Sequence, residues 1–233
     1  MKYEITQFPD MKADARDAER YIKNLIREGE SQQLDFKFEI SDAKKMARTF
    51  SAFANTRGGR LLIGVKDNGR ISGVRSEEEA YMAESAAHVF CKPSISYGVK
   101  KWIVEGKPIL EIEIPMSNKR PHYARDESGE WTAYLRVLDQ NIRANRILVN
   151  VWKNESRQQG VLINLGREEK VLVDFLSEND RITLSKFIKI ARTGRFQAEE
   201  ILVNLILTRV LVMDVTERAV FYRLNPANTK GTV

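Results

Sequence analysis

The chain has one cysteine, two histidines, six prolines and no long apolar run. A lone Cys91 cannot close an internal disulfide. With only His88 and His122 to join it, a cysteine–histidine zinc site is excluded as well, so Cys91 reads as a small core residue. No segment approaches the ~20 consecutive apolar residues that cross a bilayer. Met1-Lys2-Tyr3-Glu4 opens without the apolar stretch of a secretory signal. These absences point to the cytoplasm and away from a membrane partner. No internal repeat or low-complexity tract occurs, and only "NPANTKGTV", residues 225–233, reads as a loose tail.

What is present is an ordinary globular composition, 233 residues of which 42% are hydrophobic and 30% charged, enough for one large core or two small ones. The net charge of +6 is local. Residues 37–75 hold nine Lys/Arg against the three acids Glu39, Asp42 and Asp67, an excess equal to that of the whole chain, whereas residues 76–99 carry a net −3. A local basic excess suits a surface that meets phosphates, and it suits a plain solvated face equally.

Residues 13–28 place Ala18, Tyr21, Ile22, Leu25 and Ile26 at helical spacing, with Gly29 as the stop. "QLDFKFEI" alternates, with Leu34, Phe36, Phe38 and Ile40 on one face and Asp35, Lys37 and Glu39 on the other, which predicts a half-buried strand. Ser41 or Asp42 caps a helix whose apolar positions are Ala43, Met46, Ala47, Phe50, Phe53 and Ala54. Then comes "NTRGGRLLIGV". A phosphate cradle leads from a strand into a helix N-terminus, where free N–H groups face the anion. Here the helix comes first, so Gly58-Gly59 reads as a helix stop and a turn into a strand, with no nucleotide cofactor. Asn68-Gly69 predicts a hairpin returning through Ile71–Val74, followed by a helix over 77–90. Strands follow in "ISYGVKKWIVEG", "KPILEIEIP" and "TAYLRVL", with "SNKRPHYA" as a loop. The sum is an α+β domain, an antiparallel sheet with helices on one side.

"NVWKNESRQQG" is polar and ends in Gly160, which marks a boundary. The division expected is 1–150 for the first domain, 151–166 for a linker and 167–225 for the second domain. In the second, three helices over "REEKVLVDFLSEN", "TLSKFIKIA" and "FQAEEILVNLILTRV" precede the strands "LVMDV" and "AVFYRL", the order of a winged helix-turn-helix.

Asp35-Phe36-Lys37, Ala52–Gly59, Leu62–Val65, Arg120-Pro121-His122 and Tyr134-Leu135-Arg136 occur in this order over residues 20–145. Together they resemble the AlbA-like DNA-binding domain family that includes the Schlafen core. Glu usually stands where Asp35 is, and Gly-Ser often follows the last strand, where this chain has Leu138-Asp139. The resemblance implies the AlbA-like fold and nucleic-acid binding. In bacteria, such domains joined to a winged helix resemble transcriptional regulators.

The candidate nucleic-acid contacts in the first domain are Lys44, Lys45 and Arg48 on one helix face, with Arg57, Arg60, Lys119, Arg120 and Arg136 from segments near the family's basic surface. In the second they are Lys186, Lys189, Arg192, Arg195 and Gln197, in a stretch without an acid between Arg181 and Ala198. Glu199 and Glu200 would repel phosphates there. Duplex DNA is the expected partner, and a homodimer suits paired half-sites. The enzymatic alternative is a Schlafen-type, metal-dependent nuclease using Glu30 and Asp35 beside Lys37, with Asp67 as a third carboxylate. Against it, Asp35 and Lys37 are explained by an ion pair and Asp67 by the turn it precedes. His122 reads as a loop residue held by hydrogen bonds, with no partner apparent for a base. A protein-interaction module is the third alternative. No metal site and no cofactor are expected.

Overall fold

A computed structural model describes residues 15–74, 78–155 and 166–229. It divides into two compact units, 1–143 and 144–233. Most of the expected linker 151–166, the boundary at Gly160 and the expected helix start at residue 77 lie outside the described residues. Among those described, no helix is long and apolar enough to cross a membrane.

In the first unit the elements run α1 (Ala15–Glu28), β1 (Leu34–Lys37), α2 (Ala43–Asn55), β2 (Gly59–Ile63), α3 (Glu78–His88) and β3 (Cys91–Lys92). They continue with β4 (Gly98–Val104), β5 (Lys107–Ile114), β6 (Tyr123–Arg125), β7 (Trp131–Val137) and β8 (Gln140–Arg143). They build two four-stranded sheets, β1-β2-β5-β4 and β3-β6-β7-β8. The fold is mixed α+β, as the sequence predicts, with two corrections. β1 and β2 run parallel, because α2 is the crossover between them. Helices also cover both faces of the first sheet. Leu34, Phe36, Leu62 and Ile109 share a core with Ile22 and Leu25 of α1, while Leu61, Ile63, Leu110 and Ile112 pack with α2. β1 is therefore buried on both sides, Asp35 included.

Glu111 fixes α1 on the sheet although it is only 1% exposed. It accepts from the Tyr21 hydroxyl at 2.6 Å and from Trp102 Nε1 at 2.8 Å, with Arg60 Nε 3.3 Å away. Burial first, and then the neighbouring carboxylate, push the Tyr21 hydroxyl up from its ordinary value.

Asn68-Gly69 turns the chain as expected, but the return is a single bridge, Val65 with Ile71, and not a strand. The short strands β3, β6 and β8 lie in stretches the alternation pattern does not mark.

The second unit holds α4 (Arg146–Glu155), α5 (Arg167–Glu178), α6 (Leu184–Ala191), α7 (Arg195–Leu207), β9 (Leu211–Val215), β10 (Val220–Leu224) and α8 (Pro226–Thr229), a short helix in the expected tail. β9 and β10 pair antiparallel, and Ile182 bridges to Tyr222. Thr183 caps α6, its hydroxyl accepting from Lys186 N, and Arg192 ends the helix in the left-handed region. Leu172, Leu176, Phe187, Ala198, Leu202 and Leu211 are core residues here, joined by Ile147 and Val151 of α4.

Candidate nucleic-acid interface

α2 is enclosed by the sheets and α3, and ten of its thirteen residues are buried. The three that reach solvent are Lys44, Lys45 and Arg48. Lys45 is exposed and Lys44 and Arg48 are half-buried, the Arg48 Nε itself lying out of solvent. Asp42 caps the helix, accepting from Lys44 N at 2.8 Å and Lys45 N at 3.3 Å. The positive end of the helix dipole adds to the three cations, and the Asp42 carboxylate offsets part of that field. Lys44 Nζ stands 5.9 Å from the Phe90 ring centre, and Arg48 Nη2 lies 3.9 Å from Glu127. Phe90 O accepts from Arg125 N at 2.9 Å, which brings the exposed Arg125 beside this group. Lys92, also exposed, follows on β3, paired with β6. Sequence reasoning missed both, because strands of two and three residues carry no legible alternation.

The other expected cations of this unit gather at the opposite end of α2, about 18 Å away by helix rise. Gly58, at φ +70°, receives the helix end, its N–H donating to Phe53 O at 2.9 Å, so the Gly-Gly pair stops a helix as the sequence implies. Arg57 and Arg60 are exposed and line a groove with Ser31, Gln33 and Glu113. Lys119 is exposed, and Arg120 Nη1 donates to Asn55 O at 3.4 Å.

Arg136 is a correction. It is 2% exposed and makes no surface contact. Its Nη2 meets Asp35 Oδ1 at 2.9 Å, Nη1 donates to Asn141 Oδ1 at 3.0 Å and Nε to Ser31 O at 3.3 Å, with the guanidinium 5.2 Å from the Phe53 ring centre. Asp35, 3% exposed, is the other half of this buried pair, and Lys37 Nζ reaches its second oxygen at 2.9 Å. The Asp35–Lys37 ion pair is present, but its acid is in the core and not on the surface. Glu30 lies alongside, Oε1 accepting from Phe36 N at 2.9 Å. Its carboxyl is pushed up by burial and further by Asp35. Asp67 is exposed in the 65–71 turn. Among the described residues no group of three or more His, Cys, Asp or Glu is placed to hold a metal ion.

The remaining family motif residues are also internal. Asn55 Nδ2 donates to His122 O at 2.8 Å and Tyr134 O at 2.9 Å, and its Oδ1 accepts from His122 N at 2.7 Å. Ser51 Oγ donates to His122 O at 2.8 Å. The Ala-Phe-Ala-Asn helix thus staples the second sheet and the Arg-Pro-His loop to itself. His122 Nδ1 lies 2.9 Å from Pro93 O and Nε2 2.7 Å from Ser117 Oγ, which is the hydrogen-bonded loop histidine expected. Burial holds its pKa below the ordinary value.

In the second unit Lys186, Lys189 and Arg192 are exposed on α6 and its end, and Arg195 and Gln197 are exposed at the start of α7. Gln197 Oε1 accepts from Thr193 Oγ1 at 2.8 Å. Glu199 is not the surface acid the sequence suggests. It is 5% exposed, with Arg195 Nε at 2.9 Å and Arg146 Nε at 3.5 Å. Glu200 is exposed.

Residues 30–145 match the family model described as Schlafen, AlbA_2. No curated protein matches the chain. Solved structures are similar too, and two of them show the likeness. The DIP2311 protein of Corynebacterium diphtheriae is 19% identical, with a TM-score of 0.45 over 71% of this chain and 38% of its own length. The N-terminal domain of a RecG-related protein from Nitrosomonas europaea is 23% identical, with a TM-score of 0.39 over 54% of this chain and 92% of its own. The present chain thus spans well under half the length of the first. The motifs that converge on the buried Asp35–Arg136 pair and the Asn55 staple fall within the segment, residues 30–145, that is similar to the Schlafen, AlbA_2 family.

Proposed function

We propose that this protein binds nucleic acid through exposed cations of both units, and that it is a DNA-binding transcriptional regulator. The observation that carries the reading is α2, whose only solvent-facing side chains are Lys44, Lys45 and Arg48, at the end where the helix dipole is positive. The family match over residues 30–145 supports it. In the second unit, three helices followed by the β9–β10 hairpin support a winged helix-turn-helix over 167–225. Five cations, Arg181, Lys186, Lys189, Arg192 and Arg195, stand there without an intervening acid. Duplex DNA is the proposed partner of the whole chain, and a homodimer the proposed form, since paired half-sites suit both.

The test is a titration of the full chain into labelled duplex DNA, single strands and RNA at several salt concentrations, with Mn²⁺ or with chelator. Retarded, uncut nucleic acid whose binding weakens with salt supports the reading. Absence of retardation at low salt overturns it in favour of a protein-interaction module. Metal-dependent fragments overturn it in favour of the nuclease.

A further inference from the structure

The end of α7 nearest α6 carries an exposed aromatic ring among cations. α7 is apolar around most of its circumference. Ala198, Ile201, Leu202, Val203 and Leu205 are buried, and so is the acid Glu199. α4 covers part of that surface, with Ile147 and Val151 in the same core and Arg146 paired to Glu199.

What α7 leaves in water is its first turn and Glu200. In that turn Phe196 is 67% exposed. A single exposed apolar residue is common, but this ring has a guanidinium beside it, Arg146 of α4 with Cζ 5.4 Å from the ring centre. Arg192 and Arg195 precede it in sequence, both exposed, and Lys189 is exposed at the end of α6. An aromatic face bordered by cations from three segments fits the π-face of a nucleobase. Arg146 and Arg195 are held in place by Glu199, and Lys189 and Arg192 are exposed toward the phosphates of a bound strand.

We propose that the corner formed by α4, the α6–α7 turn and Phe196 is a stacking site for one unpaired base of a single-stranded nucleic acid. This rests on the nucleic-acid reading above and adds an unpaired base to what the second unit engages. A base inside an intact duplex keeps its faces against its neighbours and cannot offer one to Phe196.

The test uses the full chain and a 15-nucleotide strand carrying 2-aminopurine at one position, alone or annealed. Anisotropy reads affinity and base fluorescence reads stacking. The strand is expected to bind with a fluorescence change absent from the duplex. Phe196→Ala should weaken strand binding about tenfold, the scale of losing one base–aromatic stack, and Phe196→Trp should restore it. The salt dependence should not change, because no charge is removed. If Phe196→Ala binds the strand as tightly as the parent while binding still weakens with salt, the stacking site falls and the nucleic-acid reading stands. If the parent protein binds neither strand nor duplex at low salt, both fall. A Phe196→Ala protein that changes its sedimenting mass but not its strand affinity would mark this face as a protein contact and overturn the proposal.

Discussion

A guanidinium removed from water is stable only when its donors have partners. Arg136 meets that condition through Asp35, Asn141 and the Ser31 and Leu34 carbonyls. Arg136→Met should therefore cost roughly 3–5 kcal/mol, because Asp35 loses its buried partner and keeps only the half-exposed Lys37. Adding Asp35→Leu should recover most of the loss, and urea unfolding of the two single variants and the double variant gives the coupling directly. Were Arg136 a phosphate contact, the single substitution would change affinity and leave stability alone. His122 argues by the same logic about protons. Its folded pKa lies below the ordinary 6.5 of the unfolded chain because the ring is buried. Between those two values the unfolded state binds a proton that the native state refuses, so stability falls as pH drops below about 6.5 and levels off below the folded value. Thermal midpoints between pH 7.5 and 5.5 should show that decline, and His122→Gln should flatten it while lowering the plateau, since the contacts with Pro93 and Ser117 are altered.

At the scale of an element, α2 and its exit decide how the first unit is assembled. A Cβ on Gly58 would stand 2.7 Å from Ile114 O and 2.8 Å from Met116 N, in a left-handed backbone that disfavours any side chain. Gly58→Ala should therefore destabilise by more than ~1 kcal/mol, visible as a lower urea midpoint with the slope unchanged. ATP with Mg²⁺ should leave the thermal midpoint of the parent protein where it is, because the helix end beside Gly58 presents carbonyls. This stop was legible in sequence because a helix end is specified within a few residues. The α5–α6–α7 order and the capping Thr183 were legible for the same reason. Asp35 was not, since the alternation of Leu34, Phe36 and Phe38 sets it on a polar face while the partner that buries it lies 101 residues further on. α4 was hidden by the polar run after Trp152, although Ile147, Val151 and Trp152, now buried, hold helical spacing. Of the expected cations, the helix periodicity placed Lys44, Lys45 and Arg48 on the open face of α2. Arg136 on alternating β7 needed a tertiary partner to be read.

Over the whole molecule the charge is what a polyanion senses first, and net charge alone does not say where it binds. The excess of +6 could act as a diffuse field, in which case removing any three cations would weaken binding by similar amounts. Local counterion release makes a sharper demand. Each phosphate neutralised adds about 0.7 to the slope of log affinity against log salt for a single strand and about 0.9 for a duplex. If Lys44, Lys45 and Arg48 sit on phosphates together, replacing all three by glutamine should flatten the slope by up to about 2 on a strand and nearly 3 on a duplex. Replacing Lys101 and Lys153, exposed on β4 and α4, should lower affinity slightly at low salt and leave the slope intact. Because the α2 cations project from a helix otherwise buried in the core, their removal should not change the unfolding free energy by more than about 0.5 kcal/mol, the range for surface changes. A binding loss there is then a loss of contact and not of fold. Equal slopes for the two sets would assign binding to the overall field and take it away from α2.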